Sequence, residues 1–184
     1  MTQKRNVELK ARIFSASRTR ARLREIGAKR VSRLRQVDTY FRVNKGRLKL
    51  RKVSARTAQL VFYQRRDLPG PKESKVMLLP VRAPKRLFEI LSTALGRLTV
   101  VDKTRELYRY GGISIHVDKV RGLGDFIEFE KVIGPGRQEL SSGVKILQGL
   151  MDSLDLQKKQ LQLGSYCDLL LSRHGDEKTA ASRV

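Results

Sequence analysis

The chain has 184 residues, which is enough for one sizeable domain and too few for two. Hydrophobic residues make up 40% of it, which excludes wholesale disorder, and no stretch approaches the ~20 apolar residues that a membrane-spanning helix needs. A net charge of +22 points to a polyanionic ligand, with phosphate as the first candidate. The single cysteine, Cys167, cannot form an internal disulfide and favours a reducing compartment, the cytoplasm ahead of the nucleus or a mitochondrion.

The first predicted elements are a strand and a helix. Residues 7–13 alternate apolar and charged side chains, which is typical of a strand with one packed face, and Glu8, Lys10 and Arg12 share the charged face. Residues 15–28 follow as a helix that Gly27 ends. Basic residues continue from this helix to Arg35, and the run is interpreted as a solvated helix face, with a nucleic-acid contact as the alternative.

Two further strands and a loop are predicted before the middle of the chain. Residues 46–51 form a strand that places Arg47, Lys49 and Arg51 on one face, and residues 60–66 are β-branched and aromatic enough for the next strand. Residues 67–75 concentrate proline and glycine among charges, so a loop is predicted there.

The second half of the chain begins with a helix. Pro84 opens it, and a strand from residue 100 to 108 then places Lys103 and Arg105 on one face. The Gly122–Asp125 turn joins two more alternating segments into a hairpin, whose charged residues are His116, Asp118, Glu128 and Glu130.

Two helices and a tail complete the chain. One helix is predicted from about Ser141 to Leu156, and a short one, with Ser165 as its N-cap, ends near Leu171. The predicted domain therefore covers residues 1–172, and residues 173–184 are predicted to be a polar, disordered tail. This order of elements predicts an α+β fold built on antiparallel pairing.

The charged strand faces allow two interpretations. They could face water on one side of an open sheet, or they could line the inside of a closed barrel whose apolar face is covered by helices. About eight strands enclose room for a small ligand. In that arrangement Arg and Lys would bind phosphate oxygens, and carboxylates would hold a divalent cation such as Mg²⁺ or Mn²⁺.

The same residues resemble the CYTH family, the triphosphate tunnel metalloenzymes, and most closely its class IV adenylate cyclase-like branch. The resemblance rests on five segments in order: Asn6–Lys10, Gln36–Phe41, Gly46–Arg51, Lys103–Arg105 and Gly122–Glu130. It implies a closed barrel of eight antiparallel strands with helices packed outside. A divalent metal, Mg²⁺ or Mn²⁺, would bridge carboxylates and a triphosphate in its tunnel.

The resemblance also implies a set of site residues. Acidic metal ligands are predicted at four positions, which are Glu8, Asp118, Glu128 and Glu130. Phosphate binders are predicted at Lys10, Arg47, Lys49, Arg51, Arg65, Lys103 and Arg105, with Arg12 added from the charged face of the first strand. Glu8 and Lys10 are the predicted catalytic residues. In the family's first motif, ExExK, the first glutamate is here Asn6, which lowers the negative charge of the metal site.

Three functions are compatible with these residues. A metal-dependent triphosphatase that acts on inorganic or organic triphosphate is favoured, because hydrolysis demands less of a nucleoside pocket than the alternative cyclase reaction, which makes cyclic AMP and pyrophosphate from ATP. A non-catalytic polyphosphate-, nucleotide- or RNA-binding protein is the third. An acid–base role for His116 beside Asp118 is less favoured than an ordinary hydrogen bond. The expected partner is a triphosphate-bearing small molecule, with nucleic acid as a further candidate and no membrane; oligomeric state stays open.

Overall fold

Eight strands dominate the computed structural model, which describes residues 1–52, 54 and 56–181, and side chains up to residue 173. The strands are β1 (Thr2–Arg12), β2 (Lys29–Phe41), β3 (Arg47–Lys52), β4 (Ala58–Arg65), β5 (Lys72–Val81), β6 (Arg97–Tyr110), β7 (Ile113–Val120) and β8 (Gly124–Val132). All neighbouring pairs are antiparallel and the sheet closes in the order β1-β5-β4-β3-β2-β6-β7-β8. The predicted α+β barrel is confirmed.

Closure of the sheet gives every strand an inner and an outer face. On β1, Val7, Leu9 and Ala11 point outward and are fully buried, while Glu8 and Lys10 point into the barrel. Successive side chains of a strand must lie on opposite faces, so the alternating pattern of the sequence becomes an apolar exterior and a charged interior.

In the part of the chain that the structure describes, four helices and one 3₁₀ turn accompany the strands. They are α1 (Ala16–Glu25), α2 (Pro84–Leu95), α3 (Arg137–Ser153), the 3₁₀ turn Lys158–Gln160 and α4 (Tyr166–Ala181). The hydroxyl of Ser15 caps α1 by accepting a hydrogen bond from the amide of Arg18. At the start of α4, the hydroxyl of Ser165, the predicted N-cap, accepts one from the amide of Asp168. Among the described residues no helix combines the length and the hydropathy that a bilayer crossing needs.

The helices cover the barrel from outside and at one end. Helix α3 buries Leu147 completely in a cluster with the outward residues of β1, β7 and β8, and α2 packs Phe88 against Phe41 of β2. At one end of the barrel, the first turn of α4 packs Tyr166 against Phe126, edge to face. Burial of these apolar faces keeps the charged faces inward, since each apolar side chain contributes about 1.5–3 kcal/mol when it leaves water.

Several predicted boundaries were wrong. Lys29 to Arg35 belong to strand β2 and not to a helix, and β5 begins at Lys72 inside the predicted loop. Both segments are held by pairing with distant strands: β2 lies along β6, and Lys72 pairs with Glu8. Helix α3 begins at Arg137, earlier than predicted, directly after Gly136 with its φ of 105°.

Helix α4 extends to Ala181, whereas the sequence predicted a helix ending near Leu171. The described side chains end at residue 173, and residues 182–184 lie outside the description. The predicted boundary of the domain at residue 172 and the disordered tail after it stay predictions.

Candidate active site

A charged cavity of about 570 Å³ occupies the barrel interior. Its size falls in the range of small-molecule pockets, roughly 300–1,000 Å³. Three carboxylates line it, from Glu8, Glu128 and Glu130. Nine basic side chains also line it: Lys4, Lys10, Lys49, Arg51, Lys52, Arg65, Lys103, Arg105 and Arg109. The interior therefore carries a surplus of positive charge that a polyanion would neutralise.

Strand β1 places the two predicted catalytic residues in this cavity. The ammonium of Lys10 donates to Glu128 and lies 3.4 Å from the centroid of the Tyr166 ring. Glu8 accepts a hydrogen bond from Arg65 on β4. Lys10 is 4% exposed, so its charge is held in place by the carboxylate and by the ring face rather than by water.

Asp118, on the same inner face of β7 as His116, organises the basic residues of β6. Its carboxylate, which is fully buried, accepts from Lys103 at 2.9 Å, from Arg105 at 2.7 Å and from the Tyr166 hydroxyl at 2.9 Å. Burial alone would raise the pKa of Asp118, but the charges of Arg105 and Lys103 outweigh it and lower that pKa. Because Arg105 also donates to Glu128, Asp118 fixes the direction of a guanidinium that faces the cavity.

Asp38, on the inner face of β2, has the same role for the basic residues of the neighbouring strand β3. It accepts from Lys49 at 2.7 Å and from Arg51 at 3.0 Å, and it is 1% exposed. Burial lowers the pKa of Lys49 from 10.5 to about 8, although Asp38 opposes this shift. Burial would raise the pKa of Asp38, yet Lys49 and Arg51 hold it below its usual value. Two buried aspartates therefore orient the basic groups that they accompany.

Two of the three carboxylates and one histidine meet at the β7–β8 side of the cavity. Ligand atoms of His116, Glu128 and Glu130 all lie within 4.8 Å of one another. The imidazole Nδ1 is 3.8 Å from Glu128 and 3.7 Å from Glu130. Glu8 lies directly opposite Glu130 in the β1–β8 pair, and facing like charges destabilise a sheet unless a cation lies near them. This donor set fits a divalent metal ion.

Three predicted site residues are placed outside the cavity lining. The Arg12 guanidinium donates to the Leu123 carbonyl at 2.8 Å, and that of Arg47 donates to Asp168 at 2.7 Å. Asp118 is the third, with its carboxylate already engaged as described. The cavity brings the other predicted residues together: Glu8, Lys10, Lys49, Arg51, Arg65, Lys103, Arg105, Glu128 and Glu130.

Two neighbouring polar residues in the cavity lack a hydrogen-bond partner. Asn6 on β1 pairs in register with Ser74 on β5, and both face the interior. The Asn6 carbonyl oxygen and the Ser74 hydroxyl are buried without a protein partner. Buried polar groups are normally satisfied, so these two mark a place where the cavity can receive hydrogen bonds from a ligand.

Fold and cavity together define a class of protein: a closed antiparallel barrel whose interior is built from charged side chains and is large enough for a small ligand. The chain belongs to the CYTH domain family, whose model matches residues 4–166. The predicted membership is confirmed. The family is metal-dependent and binds triphosphate substrates.

Solved structures share the fold. The PH1012 protein from Pyrococcus horikoshii is 21% identical, with a TM-score of 0.79 over 89% of this chain and 98% of that one. A proposed adenylate cyclase from Vibrio parahaemolyticus is 15% identical, with a TM-score of 0.74 over 91% and 98%. A proposed adenylyl cyclase from Hippeastrum, described as having a dominant triphosphatase activity, is 14% identical, with a TM-score of 0.59 over 92% and 96%. No curated protein matches the chain.

Proposed function

We propose that the chain is a metal-dependent triphosphatase that hydrolyses inorganic or organic triphosphates inside the barrel. The observation that carries this proposal is the cavity itself, in which nine basic side chains surround three carboxylates. A solvated surface has no need to enclose such a surplus, whereas a triphosphate supplies the missing negative charge and accepts hydrogen bonds from Arg and Lys along its length.

The phosphate-binding set is proposed to be those of the predicted phosphate binders that line the cavity. These are Lys10, Lys49, Arg51, Arg65, Lys103 and Arg105. Arg12 and Arg47 are left out because their guanidinium groups are bound to Leu123 and Asp168 at the barrel end. Since Asp38 and Asp118 orient most of this set, the cations are preorganised before the ligand arrives, and fixed charges stabilise a transition state without reorganisation.

Glu8, Glu128 and Glu130 are proposed to hold the divalent ion. Such an ion neutralises phosphate oxygens and orients a water molecule. Asp118 is proposed as a positioning residue, since its oxygens are bound to Lys103, Arg105 and Tyr166.

In the proposed reaction, Lys10 and its basic neighbours bind the phosphate oxygens while water attacks the terminal phosphorus. The bond from that phosphorus to the bridging oxygen breaks, orthophosphate forms, and the diphosphate end leaves with the bonding electrons, while the proton lost by the water passes to the leaving oxygen or to solvent. Phosphoryl transfer of this kind depends on position and charge more than on covalent chemistry.

The test is an assay with inorganic triphosphate, ATP and thiamine triphosphate, each with Mg²⁺ and with Mn²⁺, in which phosphate, pyrophosphate and cyclic AMP are resolved. Release of orthophosphate supports the proposal, and E8Q lowers it about a hundredfold or more if Glu8 acts at the metal. E73Q is the matched control, because Glu73 lies on the same sheet but pairs with Arg5 outside the cavity. Cyclic AMP as the main product would make the chain a cyclase, and no product at all would leave a binding protein.

A second candidate function is nucleic-acid binding by the outside of the barrel. Helix α1 and strand β2 carry strongly exposed arginines, with side-chain exposures of 70% for Arg18, 65% for Arg33 and 71% for Arg35. The affinity of this surface for a phosphate backbone would fall steeply as the salt concentration rises. The test is to measure the affinity for single-stranded RNA between 50 and 200 mM salt, for the unaltered protein and for R33E/R35E. An affinity that changes neither with salt nor in the variant would exclude this surface.

A further inference from the structure

His116 is the one histidine among the described side chains, and it faces the cavity next to two carboxylates. The residue is only 7% exposed, and its Nδ1 atom is buried without a hydrogen-bond partner. An imidazole nitrogen without a partner in a buried polar site is costly unless it receives one. The carboxylate oxygens of Glu128 and Glu130 are 3.8 and 3.7 Å from Nδ1, which is too far for a hydrogen bond.

The three donors have the separation that a shared ion requires. Their ligand atoms lie within 4.8 Å of one another, so an ion at the usual distance of roughly 2.1 Å from nitrogen and oxygen reaches all three after small side-chain rotations. Each oxygen of Glu128 accepts one hydrogen bond, from Lys10 or from Arg105, and keeps a second lone pair for a metal.

We propose that His116 is a metal ligand, and that it makes this site select a first-row transition ion such as Mn²⁺ over Mg²⁺. Mg²⁺ is a hard cation that is bound almost entirely by oxygen, whereas imidazole nitrogen suits transition metals. The inference rests on the proposed function only for the presence of a divalent ion in the cavity.

The first experiment detects the nitrogen directly. Pulsed electron paramagnetic resonance of the protein loaded with Mn²⁺ should show modulation from an imidazole nitrogen coupled to the ion. The modulation should vanish in H116D and H116Q and persist in S114A, which alters the inward-facing neighbour of His116 on β7. Absence of nitrogen modulation in the unaltered protein would overturn the proposal.

The second experiment measures selectivity by calorimetric titration with Mn²⁺ and with Mg²⁺, without substrate. The unaltered protein should bind Mn²⁺ about tenfold or more tightly than Mg²⁺, and H116D should bring the two affinities close together by making every ligand an oxygen. An unchanged ratio in H116D would also overturn the proposal. H116Q, which adds no charge near Glu128, serves if thermal unfolding shows that H116D is misfolded.

The outcomes separate this inference from the proposed function. Triphosphate hydrolysis without nitrogen coupling would overturn the ligand role of His116 and leave the triphosphatase intact. Nitrogen coupling and Mn²⁺ selectivity without hydrolysis would support the ligand role and overturn the triphosphatase.

Discussion

Lys49 is a cavity residue whose charge changes with pH close to neutrality. Its pKa is about 8 because burial disfavours the ammonium form. The unfolded chain binds more protons than the folded one between this value and 10.5, so this group makes the protein more stable as pH rises from about 8. Phosphate binding has the opposite dependence, because it needs the ammonium and weakens as pH rises through the same window.

We therefore expect the affinity for inorganic triphosphate, measured by calorimetry, to fall between pH 7 and 9 relative to that of K49R. Arginine stays charged throughout this range. Lys72 also has a pKa of about 8, but its ammonium donates to backbone carbonyls such as that of Leu68, and it is present in both proteins, so its effect cancels. A constant ratio of the two affinities across this range would show that Lys49 does not contact the ligand as an ammonium.

Asn6 provides a second residue-level prediction. N6E restores a carboxylate two residues before Glu8 on the same inner face of β1, where the amide oxygen has no partner. We expect tighter divalent binding by about tenfold and faster metal-dependent turnover, because the added charge attracts the ion. The control is N6Q, which lengthens the side chain without charge and should give neither gain. Equal effects of N6E and N6Q would exclude the electrostatic explanation.

The sequence predicts the inward charges well because strand periodicity determines which side chains share a face. The register of the β7–β8 hairpin could also be predicted: its Gly122–Gly124 turn pairs Val120 with Gly124, and counting back pairs His116 with Glu128. What alternation cannot predict is depth along the barrel. Asp118 shares a face with His116, yet α4 brings Tyr166 onto it from 48 residues away and closes it off.

At the level of elements, six of the eight described strands were predicted from their residue patterns, and β2 and β5 were missed. The first half of β2 is exposed on its outer face, so its hydropathy does not alternate, and only pairing with β6 holds it in the sheet. Strand β5 was missed because its first residues are polar on both faces, so they show no alternation. The pairing that holds it is with β1, which is distant in the sequence, and with β4, which lies across a loop.

Helix α3 allows a matched test of packing against β1. A Cβ at Gly143 would lie 2.8 Å from Val7 and 3.1 Å from Ile133, whereas a Cβ at Gly149 meets nothing within 4 Å. Alanine favours a helix by up to about 1 kcal/mol over glycine, so G149A should raise the free energy of unfolding. G143A should lower it by about 1–2 kcal/mol, because the overpacked Val7 is fully buried on a paired strand.

Chemical denaturation of the two variants measures these opposite signs. Both variants replace a glycine of the same helix by alanine, so both gain the same helix propensity. The difference between their free energies of unfolding therefore reports the contact with β1. If both variants were stabilised alike, α3 would not be packed closely against Val7.

For the whole molecule, closure of the barrel confines nine basic side chains around one cavity, and their repulsion lowers the stability of the empty protein. A bound polyanion removes that repulsion and binds only the folded state. Inorganic triphosphate at one hundred times its dissociation constant should stabilise folding by about 2.7 kcal/mol, which for a chain of this size raises Tm by roughly 5–10 °C.

A matched pair of variants distinguishes this stabilisation from general attraction to a basic protein. R51M removes one positive charge inside the cavity, and R33M removes one from the exposed outer face of the same sheet. Loss of a charged hydrogen bond costs about 1.5–3 kcal/mol, so R51M should weaken triphosphate affinity about tenfold or more and reduce the rise in Tm. R33M should keep the full rise, and sodium chloride of equal ionic strength should produce little of it. Equal losses in both variants would mean that triphosphate binds the outer surface, and the cavity would then not be the ligand site.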